Sequence, residues 1–385
     1  MRRVLARAGG CVALAAAIAG CTAPASSTVT VAGQSLTIYV GAPPNGRGGQ
    51  TAQDVLAAEQ LAVRQAPSKV GKYSLRLVVL RGSKVSDNAR AAIGDKSAIA
   101  YLGEIDPGAS AESVGITNAQ DLLQVSPTDT AAALTEATAA VPDSPAVYYE
   151  SFKTYGHTFA RVVPSTALEA KALVAEMQAR GVRRLYVVGD GSDYAKTLWQ
   201  SVTGDASAAS IAVQRSAAGA DAVLYAGGSA AAAAQALNGA VASDPALKLF
   251  APSAFDDQSL VAALSPAAAR QLEVSAPGFL PKALPAGAAT QFVAPFQTAY
   301  GHAPASQAIF GYEAMSAVLA VLQQAGAAAN NRSTVVHDFL TMKNRSSVLG
   351  SYSIDGSGDT NLGAFVISRV TAGRLQPFKA LQETG

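Results

Sequence analysis

Short, nearly continuous apolar runs alternate along the chain with longer alanine-rich stretches that open on polar residues. Residues 36–42 (LTIYVGA) are the first run; they stop at Pro43-Pro44-Asn45-Gly46, and residues 51–66 follow with Val55, Ala58 and Ala62 at helical spacing. Strand, loop and helix recur around runs at 75–80, 98–102, 122–125 and 158–163. A second series opens with the best-marked helix of the chain. Thr166-Ala167-Leu168-Glu169 reads as a capping box, Leu168, Ala172, Ala175 and Ala179 as its buried stripe, and Gly181 as its stop. Strands at 184–188, 211–214, 222–226, 249–252 and 272–276 then alternate with helices at 194–199 and 230–241. After Phe279 the pattern predicts helices at 290–300, 307–326 and 334–342, with hardly a strand. Strands that are apolar on both faces imply parallel sheets covered by helices on each side. The expected class is α/β, with two doubly wound parallel-sheet lobes.

The first twenty residues break this pattern. Arg2, Arg3 and Arg7 precede an apolar run at 11–19 that is too short to span a bilayer, which is the layout of a signal peptide. Ile18-Ala19-Gly20-Cys21 resembles the bacterial lipobox, so cleavage before Cys21 and lipid attachment to its sulfur are expected, followed by a flexible tether at 21–34 rich in Ser, Thr, Ala and Pro. Removal of the signal peptide takes away three arginines and no acid, leaving 26 Lys+Arg (29 − 3) against 27 Asp+Glu. A nearly neutral surface argues against nucleic acid as a partner. Cys11 leaves with the signal and Cys21 carries lipid, so no thiol remains for a disulfide or a nucleophile. Gly189-Asp190-Gly191 lacks the third glycine of a dinucleotide fingerprint, because Tyr194 stands there. His157, His302 and His337 fall in no metal-binding spacing, and there is no Gly-x-Ser-x-Gly elbow. The chain is expected to be no enzyme and to need no metal or cofactor.

Several motifs, taken in order, resemble the extracytoplasmic solute-binding lipoproteins of branched-chain amino-acid ABC importers, which have the type I periplasmic-binding fold. They are Val40-Gly41-Ala42, Ala58-Glu59-Gln60, Ala100-Tyr101-Leu102-Gly103, and Val125-Ser126-Pro127-Thr128-Asp129-Thr130 with Leu134-Thr135. Further along come Phe159-Ala160-Arg161-Val162-Val163-Pro164, Gly189-Asp190-Gly191-Ser192-Asp193-Tyr194, and Gly350-Ser351-Tyr352-Ser353-Ile354-Asp355 with Gly358-Asp359. The resemblance implies a bilobed clamp with crossovers near 162–164, 276–279 and 349–352. It places 35–162 with 278–349 in an N-terminal lobe and 163–277 with 350–385 in a C-terminal lobe. It implies a monomer that captures a small polar solute, an amino acid, amide or carboxylate, and delivers it to a permease in the same membrane. The alternatives within this fold are a sensing or envelope-assembly lipoprotein not coupled to transport, and one without a ligand.

Ligands of open α/β sheets lie beyond the carboxyl ends of the strands, where helix N-termini favour an anion. Four loops meet that description. The glycine-rich loop ending at Gln50 brings backbone close to a ligand or is an ordinary turn. Gly108, Ala109 and Ser110 precede a helix, with Ser110 as a carboxylate donor or a helix cap. Thr128, Asp129 and Thr130 match the binding turn that the resemblance implies, Thr130 best of all. Across the cleft Tyr194 closes over the ligand or packs on the surface, and Ser229, Ser253 and Asp256 are the further candidates, Asp256 as a ligand contact or as the start of a surface helix. Two positions depart from the amino-acid receptors that the chain resembles: Pro107 stands where they have serine, and Ser253 where they have the acid that meets the ligand's ammonium. Asp129 or Asp256 is the substitute available in the sequence. The aromatic stretch Tyr148, Tyr149, Phe152, Tyr155 and Phe159 reads as packing beneath the first crossover.

Overall fold

The computed structural model of the protein describes residues 29–44, 49–149 and 156–384. The predicted signal peptide, Cys21, residues 45–48 of the first loop, and Phe152 and Tyr155 lie outside them.

The first lobe begins with β1 (Ser35–Gly41), α1 (Gly49–Gln65), β2 (Lys69–Val70), β3 (Tyr73–Leu80), α2 (Val85–Gly94) and β4 (Ala98–Leu102). It continues through α3 (Val114–Asn118), β5 (Leu123–Ser126), α4 (Ala146–Tyr149) and β6 (Phe159–Arg161). The chain then crosses into a second lobe of α5 (Thr166–Ala179), β7 (Arg184–Gly189), α6 (Asp193–Ala208), β8 (Ala212–Gln214), β9 (Ala222–Ala226) and α7 (Ala230–Ser243). This lobe proceeds through β10 (Lys248–Ala251), α8 (Gln258–Ala263), α9 (Pro266–Gln271) and β11 (Leu272–Pro277). The remainder supplies α10 (Ala294–Tyr300), α11 (Ala308–Ala325), α12 (Arg332–Leu340), β12 (Arg345–Ser347), β13 (Gly350–Tyr352), β14 (Ala364–Thr371) and β15 (Arg374–Gln382).

The first sheet has the order β2-β3-β1-β4-β5-β6, parallel except for β2. The second has the order β15-β14-β11-β10-β9-β7-β8, parallel except for β14 and β15. Each sheet reverses its winding once, at β1/β4 in the first and at β7/β9 in the second. The loops leaving the carboxyl ends beside those points form the crevice side of each lobe. Central strands are buried on both faces, as in β4 and β9, where all five residues are inaccessible. That is why they read as unbroken apolar runs. Helices α10, α11 and α12 return to cover the first sheet, and their Phe296, Phe310, Met315, Leu322 and Phe339 join Leu36, Ile38 and Val40 in one core. Each large apolar side chain so buried contributes roughly 1.5–3 kcal/mol. Helices α1 and α11 meet closely at Gly311, where a Cβ would stand 2.5 Å from the Val55 carbonyl oxygen.

Several expectations are corrected. The tether predicted to run through residue 34 docks from Val29 onward. Val31 is buried in the first core and its amide donates to Asn330 O (2.7 Å), while the Arg332 amide donates to Val29 O (3.0 Å). The third crossover lies after residue 354, not at 349–352. The β12–β13 hairpin belongs to the first lobe, because Tyr352 and Ile354 are in its core. Strands β14 and β15 form a C-terminal hairpin beyond the helices that the apolar pattern predicts as far as 342. In β15 exposed and half-buried positions alternate along an edge with no buried position, and Arg374, Gln376, Lys379 and Gln382 interrupt the apolar residues, so the run does not stand out. Helix α5 buries Thr166, Glu169, Ala170, Leu173 and Met177 rather than the Leu168–Ala172–Ala175–Ala179 stripe, of which only Ala172 is buried. In a helix this rich in alanine the apolar pattern has no strong face to read. Among the described residues, no helix is long and apolar enough to cross a membrane.

Candidate functional site

The two crevice sides face each other, and the lobes touch there. From the first lobe come the loop after β4, whose 3-10 turn is Ala109–Glu112, and the loop after β5. The second lobe contributes the N-terminal turns of α5 and α6 and the 3-10 turn Ser253–Phe255 after β10. The Thr166 amide (2.6 Å) and hydroxyl (2.7 Å) both donate to the Thr130 carbonyl, which fixes the start of α5 on the β5 loop. The two hydroxyls lie 3.1 Å apart. With Thr166 so engaged, the predicted capping box does not form. Ser165 is the N-cap residue, without a side-chain cap bond, and Glu169 points elsewhere.

Glu169 is the residue that sequence reasoning missed. Its Oε1 accepts from the Ser253 amide (2.6 Å) and the Ser275 hydroxyl (2.7 Å), and its Oε2 from the Ser253 hydroxyl (2.9 Å). It thus places a carboxylate beside position 253 from a different element. Burial raises its pKa to about 7, against the lowering effect of those three donors. The capping-box pattern hid it, since the same spacing serves both roles.

Asp129, the other acid offered by the sequence, is engaged by its own loops. Its carboxylate is wholly buried and accepts from the backbone amides of Gly108 (2.6 Å), Ser110 (2.8 Å) and Ala131 (3.0 Å). Burial raises its pKa and the three amides oppose the rise. The amides expected to hold a ligand's carboxylate therefore hold one from the protein. The Ser110 hydroxyl accepts from the Glu104 amide (3.1 Å) instead of capping its turn, and Thr128 donates to Ile105 O (2.7 Å). Ala109 lies in the same turn, its amide donating to Asp106 O (3.0 Å).

Tyr194, in the first turn of α6, is the second lobe's insertion between these loops. It is 5% exposed and packs with Val114, Ala131, Leu134 and Phe159 of the first lobe. Gly108, at φ +84°, allows this approach: a Cβ there would stand 3.3 Å from the Tyr194 Cβ. The tyrosine hydroxyl lies near Ser253 and Thr130, yet closes no well-formed hydrogen bond and is buried without a partner. Thr130, Glu169, Tyr194 and Ser253 thus converge on one spot.

Three expected residues lie away from it. Gln50 is exposed and donates to Asp54 (2.7 Å). Ser229 is an exposed N-cap whose hydroxyl accepts from the Ala232 amide (3.4 Å). Asp256 joins the lobes instead of contacting the convergence point: its carboxylate accepts from Ser306 (2.6 Å) and Gln307 (3.1 Å), and its carbonyl from Thr51 (3.0 Å). Burial raises its pKa to about 6. The crossovers are clasped as well. Arg161 Nε meets Asp359 at 2.5 Å, and its other nitrogens donate to Asp129 O (3.2 Å), Ala131 O (2.8 Å) and the Thr135 hydroxyl. Tyr148 and Tyr149 pack beside Phe159, and the Tyr149 hydroxyl lies 2.9 Å from His157 Nε2. Among the described residues no group of His, Cys, Asp or Glu is arranged to hold a metal.

Comparison with known proteins bears on this clamp. Residues 201–374 match a family model described as periplasmic binding protein. Across 90% of this chain and 99% of the other, the structure superposes on a leucine-binding protein of Thermotoga maritima with a TM-score of 0.75 at 19% identity. The fold is that of the type I periplasmic binding proteins. A substrate-binding protein of an ABC transporter from Desulfitobacterium hafniense, solved with Leu, shares this periplasmic-binding fold at a TM-score of 0.70 and 20% identity, over 89% of this chain and all of the other. So does a solute-binding protein from R. palustris solved with benzoate, at 0.68 and 14% identity, over 92% and 98% of the two chains. No curated protein matches by sequence.

Proposed function

We propose that the chain is an extracytoplasmic solute-binding protein of an ABC importer. It captures a small polar ligand between its lobes by hinge closure, works as a monomer, and is held on the outer face of the cytoplasmic membrane by lipid on Cys21. The observation that carries this reading is the convergence of Thr130, Glu169, Tyr194 and Ser253 from both lobes, with the Tyr194 hydroxyl buried and unpartnered. A buried polar group without a partner is costly, and a ligand that hydrogen-bonds to it in the closed clamp recovers that cost. Closure excludes water and strengthens each contact. The solved relatives with Leu and benzoate support the reading at the level of fold.

A thermal-shift screen of small solutes tests it. A ligand at 100 times its dissociation constant stabilises the protein by about 2.7 kcal/mol. If no small solute raises the melting temperature of the folded protein, the receptor reading fails. Labelling with radioactive palmitate, lost on Cys21→Ser, tests the anchor.

A further inference from the structure

Arg161 ends β6 at the first crossover, and its side chain is wholly buried. A buried cation needs both its charge and its donors matched. Nε donates to Asp359 Oδ1 (2.5 Å), one terminal nitrogen donates to both Asp129 O (3.2 Å) and Ala131 O (2.8 Å), and the other meets the Thr135 hydroxyl. That hydroxyl donates in turn to Asp359 Oδ2 (2.8 Å). Asp359 belongs to the third crossover. Its loop is stiffened by Asp355, whose Oδ1 accepts from the amides of Ser357 and Asp359 (both 2.9 Å), and is laid on β6 at Gly358, whose carbonyl accepts from the Arg161 amide (2.9 Å). Gly358 lies at φ +93°, and a Cβ there would stand 2.2 Å from the Phe159 carbonyl oxygen, so only glycine permits this seat. Asp129 O and Ala131 O flank Thr130, whose own carbonyl receives the amide and hydroxyl of Thr166 at the start of α5. One side chain therefore touches two crossovers and the peptide carbonyls on either side of Thr130.

We propose that Arg161 is a positioning residue: through it the first and third crossovers and the loop at 129–135 form one block, so that a change at the hinge sets where Thr130 stands in the cleft. The purpose of this block rests on the receptor reading and deepens it, since a hinge that carries Thr130 with it links closure to the contact that Thr130 makes. A planar guanidinium holds two carbonyls, a hydroxyl and a carboxylate in fixed directions, which a lysine ammonium on its flexible stem does not. The competing role for the same bonds is plain stability, in which Arg161 does no more than satisfy buried acceptors.

Hydrogen exchange read by mass spectrometry on the unliganded protein separates the two roles. No solute is added, so the result stands apart from the receptor reading, which the solute screen tests on its own. Arg161→Lys keeps a charge beside Asp359 and loses the fork. Exchange is expected to quicken about tenfold or more in 129–136 and in the first turn of α5, where the Thr166 amide donates to Thr130 O, while β9 in the second lobe stays within about twofold of the wild type. Asp359→Asn, 198 residues along the chain from Arg161, is expected to give the same pattern more weakly. Exchange that quickens equally in β9 and in 129–136 overturns the proposal and leaves an arginine that only stabilises. If Arg161→Lys does not fold, Asp359→Asn decides alone through the first turn of α5, which is reached from Asp359 through Arg161 and Thr130: faster exchange there supports the block, and faster exchange confined to 355–361 overturns it.

Discussion

Asp129 and Glu169 are both inaccessible carboxylates, and their neighbours give them different roles. Three rigid backbone amides hold Asp129, so its position is set by the loops themselves. Glu169 is held by two serine hydroxyls, which are rotatable donors, and one amide. Tyr194 stands between them with its hydroxyl unpaired. Replacing it by phenylalanine removes that buried orphan, so Tyr194→Phe should stabilise the unliganded protein by about 1 kcal/mol in urea denaturation while weakening the response to any solute that raises the wild-type melting temperature. Thr130, Ser253 and Tyr194 are legible in the sequence as turn residues at strand ends, because turn chemistry is local, and the structure brings the three together. The surroundings of Asp129 and Glu169 are not legible, because the partners of a buried acid come from distant segments: Gly108 and Ser110 for Asp129, Ser253 and Ser275 for Glu169. No spacing along the chain records such encounters.

At the scale of elements, central strands were the most legible, since burial on both faces leaves no polar position to interrupt them. The predicted run at 222–226 coincides with β9, and that at 98–102 with β4. Alanine-rich helices were legible as helices but not in orientation, as α5 shows. Edge strands were the least legible, β15 having no buried position and Arg374, Gln376, Lys379 and Gln382 spread through it. The contact between α1 and α11 depends on a residue that periodicity ignores. Gly311→Ala should cost about 1–3 kcal/mol in denaturant unfolding, because the new methyl meets the Val55 carbonyl and neither helix can retreat without opening the first core. Alanine is the better helix former, so a stabilised variant would show that the helices are not in close contact in solution.

For the molecule as a whole, acids buried without cations dominate the dependence on pH. Desolvation raises Glu59 well above the ordinary range, Glu104 to about 8, Glu169 to about 7 and Asp256 to about 6. A carboxyl whose folded pKa exceeds its unfolded value binds its proton more tightly in the native state. Its contribution is complete below the unfolded pKa near 4 and is lost as pH rises through the folded value. His157, lowered to about 4 by burial, works in the opposite sense between about 4 and 6.5, but it is one group against four. Unfolding free energy should therefore fall from pH 5 to pH 8. Glu59, whose two oxygens are buried without partners, should account for part of that fall, so Glu59→Gln should raise stability at pH 8 by about 1–3 kcal/mol and change it less at pH 5. Asp256 ties closure to the same variable. Asp256→Ala removes the acceptor of Ser306 and Gln307 and should enlarge the radius of gyration of the unliganded protein in X-ray scattering; an unchanged radius would mean that the interlobe latch does not hold the clamp shut.

The docking of Val29 and Val31 on the first lobe also bears on how the molecule hangs from its membrane. In the proposed lipoprotein eight residue steps separate the lipid-bearing Cys21 from Val29, a reach of at most about 26 Å at about 3.3 Å per residue. Any pull from the bilayer is taken at Asn330 and Arg332, on one jaw. Under that proposal one jaw is moored and the other is free to swing, so opening and closing would trace an arc whose plane is set by the mooring, and the face offered to a membrane partner would change with each stroke.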